Sequence, residues 1–116
     1  MPGSGRMRRV DEAVRQVLAD AIAEELKDPR VGFVTVTDVT TSPDLSFARV
    51  YVSVLGDEQA RAASLDGLAH AHGYLQGRIA SDLRLRRTPT LEFRYDDTTD
   101  RALRVEDLLR HEGPPR

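Results

Sequence analysis

The chain has 116 residues, which is enough for one domain with one hydrophobic core. Hydrophobic residues make up 40% of it and charged residues 31%, a composition typical of globular proteins and not of disordered ones. The formal net charge is −2 and there is no cysteine, which excludes a disulfide framework, a thiol nucleophile and thiolate metal sites, and fits a reducing cytoplasm.

Charge is distributed unevenly along the chain. Residues 31–70 carry two arginines against five carboxylates, a net −3, whereas residues 71–95 carry five arginines against two carboxylates, a net +3. Sixteen of the seventeen cationic side chains are arginine, which suits bidentate recognition of phosphate, although a codon preference for arginine would give the same bias. The segment 71–95 is therefore the first candidate for contact with a polyanion.

Residues 1–9 are rich in Gly, Pro and Arg, lack periodicity and predict a disordered leader. Their Arg6, Arg8 and Arg9 are candidates for contact with RNA, although such arms are more often only solvated. The polar residues 111–116 predict a flexible tail, so the folded domain is expected to span residues 10–110.

The first predicted helix covers Val10–Lys27. Its apolar residues recur at spacings of three and four and form one stripe: Val10, Ala13, Val14, Val17, Leu18, Ala21, Ile22 and Leu26. Asp11 and Glu12 are expected in its first turn, where the helix dipole favours anions, and Asp28-Pro29 is expected to end it.

Two strands follow, over Phe33–Thr41 and Leu45–Leu55, and the Ser42-Pro43-Asp44 turn between them predicts an antiparallel hairpin. The second strand alternates between two faces, one of which carries Ala48, Val50, Val52 and Val54 and the other Phe47, Arg49, Tyr51 and Ser53. The aromatic residues beside Arg49 would suit base stacking, or would pack under another part of the chain.

A second helix is predicted from Glu58 to about His72, and a third resumes after Gly73 with Leu75, Ile79 and Leu83. Arg84, Arg86 and Arg87 are expected to close the third helix. A third strand at Leu91–Tyr95, a turn at 96–98 and a short helix over 102–109 complete the order α-β-β-α-α-β plus a terminal helix. This order predicts an α+β domain with a three-stranded sheet covered by helices on one face.

The segment Ala71-His72-Gly73 between two apolar helix halves is the most informative local feature. Glycine inside a helix costs about 1 kcal/mol relative to alanine, so the interruption needs a structural or functional reason. Gly73 is expected to take a dihedral that other residues avoid, and a helix beginning there would offer N–H groups to a phosphate. A kink that only fits the helix around the sheet is the alternative.

Enzyme and membrane signatures are absent from the sequence. There is no Walker phosphate loop, no G-x-G-x-x-G after a strand and no G-x-S-x-G elbow. His70 and His72 are two residues apart, which places them on different helix faces, and Asp96-Asp97 and Glu24-Glu25 are typical of solvated carboxylates. No apolar run is long enough for a membrane span. We therefore expect no catalytic activity, no cofactor, no metal and no membrane contact.

Six local motifs follow one another along the chain: Lys27-Asp28-Pro29-Arg30 with Gly32, Ser42-Pro43-Asp44-Leu45, Ala48-Arg49-Val50-Tyr51-Val52, Ala71-His72-Gly73, Leu83-Arg84-Leu85-Arg86 with Pro89, and Phe93-Arg94-Tyr95-Asp96. Taken together, they resemble the motifs of the ribosome-binding factor A family, over Val10–Leu109. No single motif is decisive, but their order and spacing are specific.

The resemblance implies a type II KH-like fold in which an Ala-x-Gly kink, here Ala71-His72-Gly73, replaces the G-x-x-G loop of ordinary KH domains. It also implies a monomeric, cytoplasmic, non-catalytic factor that binds the free 30S ribosomal subunit and 16S rRNA and assists late maturation. Processing of the 5′ end of 16S rRNA, growth in the cold and contact with other small-subunit assembly factors belong to the same implied role.

The candidate RNA-binding residues combine the basic segment, the helix break and the leader: Arg49, Ala71, His72, Gly73, Arg78, Arg84, Arg86, Arg87, Arg94, Arg8 and Arg9. One alternative is a generic KH-like RNA-binding or mRNA-regulating module, which would bind isolated short RNA as well as it binds the subunit. The other is a protein-interaction module that uses the Phe47 and Tyr51 face; it would lack the steep salt dependence of phosphate binding.

Overall fold

Three helices and a three-stranded sheet form the part of the chain that the computed structural model describes, residues 5–97 and Leu109. The elements in chain order are α1 (Gly5–Glu24), β1 (Val34–Thr41), β2 (Phe47–Val54), α2 (Glu58–His70), α3 (His72–Asp82) and β3 (Thr90–Tyr95). This order confirms the predicted α+β class and is consistent with a KH-like fold. Of the predicted helix 102–109, all but Leu109 lies outside the described residues, as do residues 1–4 and the predicted tail 111–116.

Helix α1 begins at Gly5, so the prediction of disorder is wrong for residues 5–9. The physical reason is that Met7 and Val10 extend the apolar stripe by one turn, ahead of the buried Val14. The earlier start also moves Asp11 out of the first turn, which contains no acidic residue. At its other end the helix stops at Glu24, three residues before the predicted Lys27.

The sheet has the order β1-β2-β3, with β2 in the centre. Strands β1 and β2 pair antiparallel, from Val34 opposite Val54 to Thr41 opposite Ala48, which confirms the predicted hairpin. Strand β3 pairs parallel to β2, with Thr90 opposite Phe47. A parallel pair needs a long crossover connection, and α2 and α3 provide it.

A β-bulge interrupts β1 at Thr37, because Val36 pairs with Val52 while the next paired residue is Asp38, opposite Tyr51. Val36 and Val39 are three residues apart and would face opposite sides of a regular strand. The extra residue lets both enter the core, where they are 5% and 2% exposed. The Thr37 hydroxyl donates to the carbonyl oxygen of Tyr51 at 3.1 Å.

The core lies between the helices and the sheet. Buried side chains from α1, α3 and all three strands form one apolar cluster, which includes Val14, Leu18, Ala21, Val36, Val39, Val50, Val52, Leu75, Ile79 and Leu91. Helix α2 adds Leu68 to this cluster and has Asp57 as its N-cap, whose side chain accepts from the Ala60 N–H at 2.9 Å. These contacts hold α2 and α3 in the same core as the sheet.

The chain between α1 and β1 packs closely on α2 at Gly67. A Cβ at Gly67 would lie 2.7 Å from Cγ2 of Val31, which is well inside van der Waals contact. Next to this contact, the Ser64 hydroxyl accepts a hydrogen bond from the Gly32 N–H at 3.1 Å. The close approach of backbone and loop explains why glycine stands at position 67.

Candidate nucleic-acid interface

Six exposed arginines from two distant parts of the chain lie at one end of the molecule. They stand on the first turns of α1 and in the loop after α3, and they form what we call the basic surface: Arg6, Arg8, Arg9, Arg84, Arg86 and Arg87. The two stretches meet in space, because Arg6 lines the same groove as Arg84 and Arg86. The structure therefore brings Arg6 together with two arginines of the basic segment, whereas Arg8 and Arg9 line a neighbouring groove beside Glu12.

The loop after α3 presents its arginines by alternation. Helix α3 ends at Asp82, and Leu83 is already extended, with φ −118° and ψ 144°. In an extended chain successive side chains point to opposite sides, so Leu83 and Leu85 pack against the core while Arg84 and Arg86 face solvent. The prediction that the arginines close the helix is wrong, because burying both leucines requires an extended backbone.

The start of α1 adds a second source of positive potential. The first turn of a helix carries a partial positive charge and unpaired N–H groups, and acidic side chains usually occupy it. Here that turn has no acidic residue and is occupied by Arg6 and Arg8. The fold thus concentrates like charges where they repel one another, an arrangement that an external anion would stabilise.

The other arginines of the described chain are mostly engaged in ion pairs. Arg49 is buried to 11% side-chain exposure and its Nε lies 2.7 Å from Glu92 Oε1, while Arg94 Nη2 lies 2.9 Å from Glu92 Oε2. Arg78 contacts Glu25 and lies 2.8 Å from Asp82. These three candidate RNA-binding residues therefore form ion pairs with other side chains of the protein, and they are not part of the basic surface.

By contrast, no ion pair is formed by the six arginines of the basic surface with the described part of the chain. A neighbouring carboxylate is that of Asp44, in the hairpin turn. Hydrogen bonds from Ser46, at 2.7 Å from its hydroxyl, and the field of Arg87 hold the pKa of Asp44 below its usual range. Asp44 therefore stays ionised and keeps the turn beside the arginines in place.

Asp11 joins α1 to the end of β1 beside the same region. Its Oδ1 accepts a hydrogen bond from the Thr41 N–H at 2.9 Å. Burial raises the pKa of Asp11 to about 6, against a lowering by the hydrogen bonds from Thr41. The carboxylate is thus a costly but geometrically specific link between helix and sheet.

The helix break lies at Ala71, with φ −88° and ψ 6°, between the end of α2 at His70 and the start of α3 at His72. The break is confirmed, but the predicted unusual backbone at Gly73 is wrong. Gly73 has no positive φ and lies inside α3, and among the described residues nothing comes within 4 Å of where its Cβ would be. Of the described glycines, Gly56 has the left-handed backbone, with φ 124°.

The segment Ala71-His72-Gly73 is separate from the basic surface. His72 and Gly73 are exposed, and Nδ1 of His72 lies 2.8 Å from the carbonyl oxygen of Ala69. The rest of α3, from Tyr74 to Asp82, lies between this segment and Arg84 and is about 14 Å long at 1.5 Å per residue. The two candidate contact areas are therefore at opposite ends of one helix.

The aromatic face of β2 is not an open platform for bases. Tyr51 is 1% exposed, which favours the packing interpretation over base stacking at this ring. Phe47 is half-buried, and the Arg49 guanidinium lies 5.9 Å from the centre of its ring. Sequence reasoning instead missed the apolar residues beside the arginines, although the alternation Leu83-Arg84-Leu85-Arg86 carried that signal.

Neither a metal cluster nor a membrane helix is found within residues 5–97. No group of three or more His, Asp or Glu side chains there is arranged to hold a metal ion. No described helix is both long and apolar enough to cross a lipid bilayer.

Comparison with known proteins gives consistent results. A family model described as ribosome-binding factor A matches residues 6–109. The crystal structure of ribosome-binding factor A from Thermus thermophilus is 32% identical, covers 77% of this chain and 93% of its own, and superposes with a TM-score of 0.69. The solution structure of a candidate ribosome binding factor A from Thermotoga maritima is 32% identical, with coverage of 84% and 93% and a TM-score of 0.73.

A third similar structure is a homology model of the Thermus thermophilus factor fitted into a cryo-EM map of a 30S–RbfA complex. It is 34% identical to this chain, covers 72% of it and 88% of its own length, and has a TM-score of 0.60.

Proposed function

The chain belongs to the ribosome-binding factor A family, and on that premise we propose that it binds the free 30S ribosomal subunit through 16S rRNA. The observation that carries the proposal is the likeness to the Thermus thermophilus factor that was fitted into a 30S complex. The basic surface supports it, since exposed arginines that form no ion pair within the described part of the chain suit a phosphate backbone.

The net charge of −2 is compatible with RNA binding because the charge is segregated. At physiological salt, exposed charges act over about 8 Å, so an approaching phosphate responds to the local arginines and not to carboxylates at the far end of the molecule. Arg8, Arg9, Arg84, Arg86 and Arg87 are then the principal contacts. Ala71, His72 and Gly73 form a second, smaller contact area.

The biological role that we propose is assistance in late maturation of the 30S subunit, including processing of the 5′ end of 16S rRNA and growth in the cold. The protein acts by binding and remodelling RNA without cleaving it. It works as a cytoplasmic monomer, alongside other small-subunit assembly factors.

Cosedimentation tests the binding proposal. Purified protein is mixed with free 30S subunits, 50S subunits and joined 70S ribosomes, and each mixture is sedimented across a salt series. We expect the protein to travel with 30S and to dissociate as salt rises, because phosphate contacts weaken steeply with ionic strength. Equal binding to 50S subunits would contradict the proposal, and equal affinity for short isolated RNA would favour the generic KH-like module.

The maturation role needs a separate measurement. In cells depleted of the protein, primer extension should show accumulation of 16S rRNA with an unprocessed 5′ end, most strongly in the cold. Re-expression of the wild-type chain should remove the precursor. Normal 5′ ends after depletion would restrict the role to binding.

A further inference from the structure

The basic surface surrounds a groove where three elements converge. The first turns of α1, the hairpin turn and the loop after α3 border a volume of about 370 Å³, whose lining includes Arg6, Met7, Val10, Leu45, Arg84 and Arg86. The groove combines an apolar floor with a rim of three guanidinium groups. It is distinct from the helix break at Ala71, where KH domains would hold RNA.

We propose that this groove holds one unpaired nucleotide, with its base on the apolar floor and its flanking phosphates on the arginines of the rim. This inference rests on the proposed RNA-binding function and specifies which feature of the RNA is recognised. The volume lies within the range of small-ligand pockets, which is about 300–1,000 Å³.

The charges of the groove match a nucleotide and not an apolar ligand. Arg6, Arg84 and Arg86 are exposed, and with the described part of the chain none of them forms an ion pair. Guanidinium groups bind phosphate through paired N–H donors and also stack on the flat face of a base. A continuous duplex could not contact the apolar floor with its bases, because those bases are stacked in the interior of the duplex.

The hairpin-turn wall of the groove is rigid before any ligand arrives. Leu45 is buried and has a positive φ of 63°, an unfavourable backbone for a residue with a Cβ atom. Hydrogen bonds hold it there: the Phe47 N–H donates to the Ser42 hydroxyl at 3.0 Å, and the Ser46 N–H donates to Asp44 Oδ1 at 3.0 Å. A preformed wall lowers the ordering cost of binding.

Two RNA hairpins test the proposal, identical except that one carries a single unpaired 2-aminopurine as a bulge. The full-length chain should bind the bulged hairpin about tenfold more tightly, in line with the stacking contribution of one base. The fluorescence of the 2-aminopurine should rise on binding, because the described residues that line the groove include no aromatic ring to quench it.

Substitution separates the floor of the groove from its rim. Met7→Gln with Val10→Thr makes the floor polar at nearly constant shape, and should reduce the preference for the bulge to about twofold or less while the affinity for paired RNA is kept. Arg6→Gln with Arg86→Gln should weaken binding to both hairpins alike. The matched control is Leu55→Gln. Leu55 is 75% exposed and follows β2, at the end of the β-hairpin away from its turn, so this variant should bind both RNAs as the wild type does.

The outcomes are distinguishable. Equal affinity for both hairpins with no fluorescence change would overturn the groove proposal and leave RNA binding intact. Failure to bind either hairpin or the 30S subunit would instead reject the proposed function. If a glutamate-rich peptide binds more tightly than either RNA, the groove is a site for an acidic protein partner, and the proposal that it holds a nucleotide is overturned. If the variant with both Met7→Gln and Val10→Thr does not fold, two measurements still test the groove. They are the 2-aminopurine fluorescence with the wild-type protein and the bulge preference of the single variant Met7→Gln.

Discussion

Gly73 has ordinary helical surroundings, with open space where a Cβ would be. Replacing it with alanine should therefore raise the free energy of unfolding by about 0.5–1 kcal/mol, since alanine restricts the unfolded chain and favours the helix. Urea denaturation measures the change. A destabilised Gly73→Ala protein would restore the strained-glycine interpretation that the structure contradicts.

Gly67, in the neighbouring helix α2, is expected to respond to an alanine substitution in the opposite direction. Its Cβ would meet Val31 at 2.7 Å, so Gly67→Ala must displace the loop between α1 and β1. We expect a net loss of about 1–3 kcal/mol in the free energy of unfolding, because overpacking exceeds the gain in helix propensity. A Gly67→Ala protein as stable as wild type would show that the loop yields easily.

The contrast between these glycines shows where sequence reasoning fails at the scale of single residues. The interruption of the helical pattern was visible in the sequence, but glycine was the wrong residue to locate it. The break falls at Ala71, where the chain passes from α2, which packs mainly against β3, to α3, which packs mainly against α1. Steric closeness, as at Gly67, depends on a loop distant along the chain and leaves no local signature.

Asp11 predicts a pH dependence with a definite sign. Its pKa is about 6 in the folded protein and 3.8 in the reference state, so between these values the folded protein binds more protons than the unfolded chain. Its contribution to stability therefore falls as pH rises from about 4 to about 6 and is constant above that. Asp11→Asn, which keeps an oxygen for the Thr41 N–H, should gain stability over wild type across this interval. Parallel pH–stability curves for the two proteins would contradict the assignment.

At the scale of elements, we expect the loop after α3 to contribute to 30S binding and to add little to the stability of the fold. Arg84 and Arg86 are exposed and do not cap a helix, so Arg84→Gln with Arg86→Gln should change stability by no more than about 0.5 kcal/mol. The same change should weaken 30S binding roughly tenfold and lower the slope of log K against log salt by roughly one to two. Sedimentation across a salt series and a denaturation midpoint measure the two effects.

Arg15→Gln with Arg30→Gln is the matched control, since both arginines are already paired with carboxylates. It should retain 30S affinity and lose at most about 1 kcal/mol of stability. If the control pair and the loop pair weaken binding equally, total charge and not the basic surface governs the interaction.

Across the whole molecule, the order of helices and strands followed from the sequence, because apolar spacing and turn residues are local properties. The parallel pairing of β3 with β2 did not, since it depends on how two helices cross over the sheet. Nor did the union of Arg6 with Arg84 and Arg86, which lie more than seventy residues apart along the chain. The sequence thus indicated which residue types form the candidate site, but it did not indicate that they lie on one surface.

Charge segregation gives a prediction for the intact molecule. Glu24 ends α1 and Glu58 begins α2, and α1 alone extends about 30 Å from its basic end. Replacing both with glutamine removes two negative charges and brings the net charge from −2 to zero. If the basic surface provides the principal contacts, affinity for 30S at physiological salt should stay within about twofold of wild type. Glu24 ends α1 and Glu58 follows β2, both far from the basic surface compared with the screening length of about 8 Å. A marked gain in affinity on sedimentation would mean that the overall charge controls association.

The bulge at Thr37 also bears on how the protein behaves in a crowded solution. In the described chain β1 pairs with one strand, β2, and beyond the bulge the N–H groups of Val39 and Thr41 donate to the carboxylates of Asp38 and Asp11. A regular edge of eight residues would be a template for strands from other copies, the first step towards fibrils. The extra residue breaks the spacing of those groups halfway along the edge, so an incoming strand meets a matching row for only half its length. The same irregularity that turns Val39 into the core thereby protects the sheet against self-association.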